Sequence, residues 1–308
     1  MCEVCANVVI LRAVTHFSTE LASQPAVWRQ AQTLSERLRA LLPADGTRVG
    51  ILGCGTSLYV AQAVACHRER QGAGETDAFP GSELPAGRAW DAVIAISRSG
   101  TTTEIIDAVR GLPSGTDVLG IVGESGSPLG ELLSAELELP FADERSVVQT
   151  RFATTVLTLL LGAYGWDVEA SAQRAERHLG ESLPEWAGEI QQFVFLGRGV
   201  GAALANEAAL KFREILATWS EGYATMEYRH GPISAINERS LVWILDDQEP
   251  SIDEQIRATG ARLIRGEGDP LAELVRIHRF AEGLVRLRGI NPDQPPHISR
   301  SVVLAGDR

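Results

Sequence analysis

The segment Glu207-Ala208-Ala209-Leu210-Lys211-Phe212-Arg213-Glu214 concentrates the titratable chemistry of the chain. Spacings of four and then three put Glu207, Lys211 and Glu214 on one face of a helix. Two carboxylates beside an ammonium are the groups that acid–base chemistry uses. Taken alone, the spacing is read more simply as a solvated Glu–Lys pair worth about 0.3–0.5 kcal/mol. The decision must come from elsewhere in the chain.

Two hydroxyl-rich turns supply the next clue. Ala92-Val93-Ile94-Ala95-Ile96 has the length and β-branching of a strand, and a helical pattern begins at Glu104. Between them lies Ser97-Arg98-Ser99-Gly100-Thr101-Thr102-Thr103. Unpartnered amides at a helix start, helped by the helix dipole and by Ser97, Ser99 and Thr102 hydroxyls, can hold a phosphate without a lysine. One such turn is equally an ordinary capped βα connection. Val49-Gly50-Ile51-Leu52-Gly53-Cys54-Gly55-Thr56-Ser57 repeats the design. There Gly53 and Gly55 admit a ligand close to the backbone, while Thr56 and Ser57 add hydroxyls. In a parallel sheet both turns open on the carboxyl edge, where ligands bind, so the pair points to a sugar phosphate. The spacing is not Gly-x-Gly-x-x-Gly, and there is no Gly-Lys-Ser/Thr loop, which argues against dinucleotide and nucleoside triphosphate sites.

The pair Gly53-Cys54-Gly55-Thr56-Ser57 and Ser97-Arg98-Ser99-Gly100-Thr101-Thr102 resembles the sugar isomerase (SIS) domain family. The likeness is to the tandem-SIS isomerase half of glutamine–fructose-6-phosphate aminotransferases and to stand-alone glucosamine-6-phosphate deaminases. It implies an α/β fold with two SIS domains, each a flavodoxin-like parallel sheet with helices on both faces. It also carries roles onto matching positions. Cys54, Gly55, Thr56, Ser57, Ser97, Arg98, Ser99, Thr102, Val147 and Glu207 would bind the sugar and its phosphate. Glu214, closing the Glu-Ala-Ala-Leu-Lys-Phe-Arg-Glu run, would be the enolisation base with Lys211 beside it. His230, in Arg229-His230-Gly231-Pro232, would assist ring opening in the neighbouring subunit, which implies a homodimer. Glu144, Val147 and Thr150 occupy sugar-loop positions, with Arg151 where the family has a lysine. No cofactor and no metal is expected.

One departure bears on the reaction. The family's tail lysine, which forms an imine with the open sugar, is matched by Arg300. Arginine stays protonated and forms no such imine, although it can hydrogen-bond a hydroxyl or offset enolate charge. The expectation is therefore a phosphosugar isomerase or isomerising deaminase acting on a hexose or amino-hexose 6-phosphate, without a glutaminase domain. Alternatives are a ketoseamine-6-phosphate deglycase and a non-catalytic phosphosugar sensor.

The chain of 308 residues is long enough for two α/β domains. The expected division is a lead over 1–18, a first SIS domain over 19–165, and a helical linker over 166–190. A second SIS domain over 191–290 and a tail over 291–308 closing the site complete it. Strands are expected near Val49, Thr76–Phe79, Ala92–Ile96, Val118–Val122 and Leu137–Leu139, then Phe193–Leu196, Leu241–Leu245 and Arg262–Ile264. Thr19-Glu20-Leu21-Ala22-Ser23-Gln24-Pro25 resembles the family's opening segment. Pro25 there suits a first helical turn, and the helix is expected to reach Leu42. A net charge of −12 argues against nucleic acid, and no apolar run has the length of a membrane span. Four cysteines without partner spacing fit the cytoplasm. His67, His178 and His278 read as surface or packing residues.

Overall fold

A computed structural model of the chain describes residues 14–85, 87–247 and 249–304. The expected lead lies mostly outside them. Helix α1 (His16–Gln32) begins earlier than Pro25 indicates, and the proline sits inside it. The reason is a cap that local sequence does not display. Thr15 Oγ1 accepts the Ser18 amide at 3.1 Å, and the distant Asp293 carboxylate takes the His16 and Phe17 amides at 2.7 and 2.9 Å. The helix also stops before Leu42. Thr33 and Ser35 hydroxyls donate to the Gln30 and Gln32 carbonyls at 2.7 Å each, and α2 (Ser35–Leu41) starts afresh.

The next elements are β1 (Val49–Gly53), α3 (Thr56–Arg70), β2 (Thr76–Pro80), β3 (Ala92–Ser97), α4 (Thr103–Arg110), β4 (Asp117–Val122) and β5 (Ala135–Glu138). Each strand pairs in parallel, in the order β2-β1-β3-β4-β5. Helices α5 (Arg151–Ala163) and α6 (Val168–Leu179) follow, so the expected linker contributes a helix. Then come β6 (Gln192–Gly197), α7 (Val200–Leu216), β7 (Trp219–Ala224), β8 (Ser240–Ile244), α8 (Asp253–Ala258), β9 (Arg262–Arg265) and α9 (Pro270–Arg288). Their four parallel strands are ordered β7-β6-β8-β9. In both sheets the first strand of the unit lies between the second and the third.

Strand β7 was not among the expected strands. Gly222 breaks its pattern because α7 passes close behind it: a Cβ there would lie 2.6 Å from Asn206 Cα.

Alternation along each strand sends side chains to two faces. Ile94 and Ile96 of β3, with Phe193 and Phe195 of β6, join one buried cluster with α1, α3, α5, α7 and α9. Val93 and Ala95 instead pack with Ile105, Ile106 and Val109 of α4. Val194, Leu196, Val242 and Ile244 pack with Ile256 of α8. A helical layer thus separates the sheets, and each sheet has a further apolar cover on its other face. This arrangement brings α7 against the start of α3, and with it the acidic face of α7 against the first turn.

Candidate active site at the carboxyl edge of the first sheet

The turn from β1 to α3 is as tight as its glycines indicate. A Cβ on Gly53 would lie 2.4 Å from the Ser57 backbone, and Gly55 has φ of 54°. In the β3–α4 turn the serine hydroxyls order the loop. Ser97 Oγ accepts the Gly100 amide at 3.1 Å. Ser99 Oγ accepts the Thr101 amide at 3.2 Å and its hydroxyl at 2.8 Å. The two turns face one cleft. Cys54, Ser57, Ser97, Arg98, Ser99 and Thr102 line it, together with Gln149 and Arg300. It encloses about 30 Å³, room for a single water. Burial raises the Cys54 thiol above its ordinary value.

Arg98 is the buried cation of this cleft, 2 % exposed. Its Nη1 and Nη2 donate to the Ser146 and Arg300 carbonyls at 3.0 and 2.8 Å. Its Nε has no hydrogen-bond partner among the described residues. Burial lowers its proton affinity, which is the signature of a charge taken out of water without full compensation.

On α7, Lys211 is fully buried and Glu207 is 2 % exposed. This is no solvated surface pair. Lys211 Nζ donates to Glu214 Oε2 and lies 3.6 Å from Glu207 Oε1. Burial alone would strip the Lys211 proton, but Glu207 and Glu214 overcome it and hold the ammonium above its usual range. Burial pushes the Glu207 carboxyl up to about 8, with Lys211 opposing and Glu214 reinforcing the shift. Two carboxyls thus share one ammonium, and burial favours the protonated form of Glu207. The Thr56 hydroxyl faces Glu207, and a Cβ on Gly55 would touch Leu210 at 3.9 Å. The face of α7 that carries Glu207 therefore abuts the first hydroxyl turn.

The loop before α5 is held from both ends. The Glu144 carboxylate accepts the Thr150, Arg151 and Phe152 amides at 2.7–3.0 Å and caps that helix. Glu20 of α1 accepts the Arg145 amide at 2.6 Å and the Ser146 amide at 3.2 Å. Arg151 donates to Ser23 and to the Ala142 and Asp143 carbonyls. Val147 is half-buried in this loop and is not among the residues lining the cleft. Gln149 is, and its buried Oε1 has no partner among the described residues. Sequence reading did not single it out, since a glutamine in a polar loop carries no signal until the loop is folded back.

Arg300 reaches the cleft from the tail, with its guanidinium engaged. It donates to Glu124 at 2.7 Å, to Asp143 at 2.7 and 2.8 Å, and to the Glu144 carbonyl. His230 is exposed on the segment after β7, outside the residues that line the cleft. His278 is buried, and both ring nitrogens lack partners among the described residues. Among the described residues no group of three or more His, Cys, Asp or Glu could hold a metal, and no helix is long and apolar enough to cross a membrane.

The corresponding turn of the second sheet, Gly197-Arg198-Gly199, has the same geometry and different contents. Gly199 has φ of 60°. Asp246 at the end of β8 accepts the Arg198 amide at 2.9 Å and also faces the Gly201 amide. Arg70 closes over Gly199, where a Cβ would lie 2.1 Å from its Nη1.

The fold is similar to that of solved structures of phosphosugar enzymes. Glucosamine-6-phosphate deaminase from Thermotoga maritima superposes with a TM-score of 0.82 at 24 % identity, covering 94 % of this chain and all of that one. Tagatose-6-phosphate ketose/aldose isomerase from Escherichia coli superposes at 0.74 with 19 % identity, covering 92 % and 96 %. No family model matches the chain. In sequence it is 28 % identical to the isomerising glutamine–fructose-6-phosphate aminotransferase of Thermus thermophilus over 92 % of its own length. It spans 58 % of that relative.

Proposed function

We propose that the chain is a phosphosugar isomerase or isomerising deaminase of the tandem-SIS kind, acting on a hexose or amino-hexose 6-phosphate such as glucosamine 6-phosphate. The observation that carries this reading is the abutment of two sites. A Glu–Lys–Glu cluster, with Glu207 and Lys211 buried and Glu214 partly exposed, lies against a hydroxyl-lined turn whose sheet edge holds a buried, undercompensated guanidinium. The phosphate dianion supplies the charge that Arg98 lacks, and the free protons of the Ser57, Ser97, Ser99 and Thr102 hydroxyls supply donors. Fixing the phosphate positions the distant reacting carbons, so binding energy is used for orientation.

Lys211 holds Glu214 through its ammonium hydrogen bond and so positions that carboxylate. Glu214 then removes the proton from C2 of the open aldose, or from C1 of the ketose, and returns it to the neighbouring carbon through an enediol or enolamine. Lys211 offsets charge as it develops. The exposed His230 serves ring opening in a neighbouring copy, so the working unit is a homodimer. In an isomerising deaminase the proton shift leaves a C2 imine, which water hydrolyses to the 2-ketose and ammonia.

The test is incubation with glucosamine 6-phosphate, and with fructose 6-phosphate plus ammonia, in deuterated water. Deuterium entering C1 or C2 is expected from the wild type and not from Glu214→Gln. Ammonia release assigns the deaminase. Tight binding without deuterium entry rejects catalysis in favour of a sensor.

A further inference from the structure

The chain itself already occupies part of the cleft. Residues 298–304 run across the start of α4 and are seated on the groups that form the cradle. The Val302 carbonyl accepts the Thr103 amide at 3.3 Å, and the Leu304 amide donates to Thr103 Oγ1 at 3.1 Å. Thr101 Oγ1 lies 3.3 Å from Ser301 Oγ, and Arg98 Nη2 donates to the Arg300 carbonyl at 2.8 Å. The Thr103 amide and the Arg98 guanidinium are the donors that an incoming anion would take at a helix start. Two carbonyl oxygens of the tail stand in for anion oxygens.

We propose that residues 298–304 form a strap that competes with phosphate for these donors, and that Arg300 is the positioning residue that seats it. The proposal rests on the phosphosugar reading above and adds a gate to it. Three observations support it. Arg300 ties the strap to two separate loops, through Glu124 after β4 and through Asp143 and the Glu144 carbonyl before α5. The strap's apolar side chains face solvent, Val302, Val303 and Leu304 being 49 %, 63 % and 54 % exposed, so lifting it uncovers no core. With the strap seated the cleft encloses about 30 Å³, far too little for a hexose phosphate. The turns themselves are tied internally, Gly53 lying close against the Ser57 backbone and Ser97 Oγ accepting the Gly100 amide. The strap is the part that can yield. Apparent affinity then equals the intrinsic affinity reduced by the fraction of molecules with the strap lifted.

The experiment combines hydrogen exchange over residues 98–106 and 298–304 with calorimetric titration by inorganic phosphate. It uses the full chain as wild type, Arg300→Ala, Arg300→Lys and the pair Glu124→Gln/Asp143→Asn. Arg300→Ala is expected to speed exchange at the Thr103 amide and to tighten phosphate binding roughly three- to tenfold. Arg300→Lys keeps a charge without the fork and falls between. The carboxylate pair, which leaves Arg300 intact, reproduces Arg300→Ala. Unchanged exchange in Arg300→Ala overturns the strap. Weaker phosphate binding in Arg300→Ala also overturns it, because Arg300 then serves the anion directly. If the wild type binds phosphate and no variant binds it more tightly, the competition alone fails. If no form binds phosphate, the phosphosugar reading fails and the proposal with it.

Discussion

The carboxyl edges of the two sheets share a backbone plan and differ in what fills it. Both have a glycine-flanked turn from a central strand into a long helix, with Gly55 and Gly199 at φ of 54° and 60°. At the first edge the neighbouring strand ends in Ser97, Arg98 and Ser99, a cation among hydroxyls. At the second it is followed by Asp246 and Asp247, and the Asp246 carboxylate already takes the helix-start amides while Arg70 covers Gly199. A helix start is an anion site only while its amides are free of the protein's own anion. The carboxylate after one strand therefore leaves the second turn internally satisfied, and among the described residues the first turn has no such carboxylate on its amides.

The first edge should break most completely at Glu214. Glu214→Gln is expected to lower kcat by about 10²–10⁴-fold with little change in phosphate affinity, read by steady-state kinetics and calorimetry. Lys211→Met leaves the buried Glu207 and the partly exposed Glu214 without their cation. It should cost about 3–5 kcal/mol of stability, measured by denaturant unfolding. Arg98→Met removes the buried countercharge and should weaken phosphate binding by about 10–100-fold, the worth of a charge-assisted contact. At the second edge, Asp246→Asn should leave phosphate affinity unchanged and shift stability by about 1 kcal/mol or less, because burial already raises that carboxyl to about 6.

The smallest effect is a pH slope. Glu207 has a folded value near 8 against an ordinary 4.5, so the folded state binds more protons between those values. Stability from this group is present below about 4.5, falls as pH rises through about 8, and is flat above. Glu207→Gln removes that slope. The stability difference between variant and wild type should move in the variant's favour from pH 5 to 8, read from melting temperatures across the range.

Much of the first edge was legible because its signals are local. Strand length, hydroxyls and glycines place β1 and β3 and both turns without tertiary information. The α7 cluster was legible as a spacing and a family resemblance, but the residues alone left open whether Glu207 and Lys211 are a surface pair or a buried one, because that burial comes from α3 and α9. The start of α1 depends on Asp293, which lies 277 residues from His16 along the chain, and no local pattern reports such a cap. Gln149, Glu124 and Asp143 gained their places only when loops separated in sequence met at the sheet edge. Asp246 was missed for the same reason.

The most direct measurement is a crystal structure of the chain with glucosamine 6-phosphate. The phosphate should lie within hydrogen-bond reach of Ser57, Ser97 and Ser99 and beside Arg98. Its C1 and C2 should sit about 3–3.5 Å from the Glu214 carboxylate. Phosphate density at the Asp246 turn, or a sugar whose first two carbons point away from Glu214, would contradict the account.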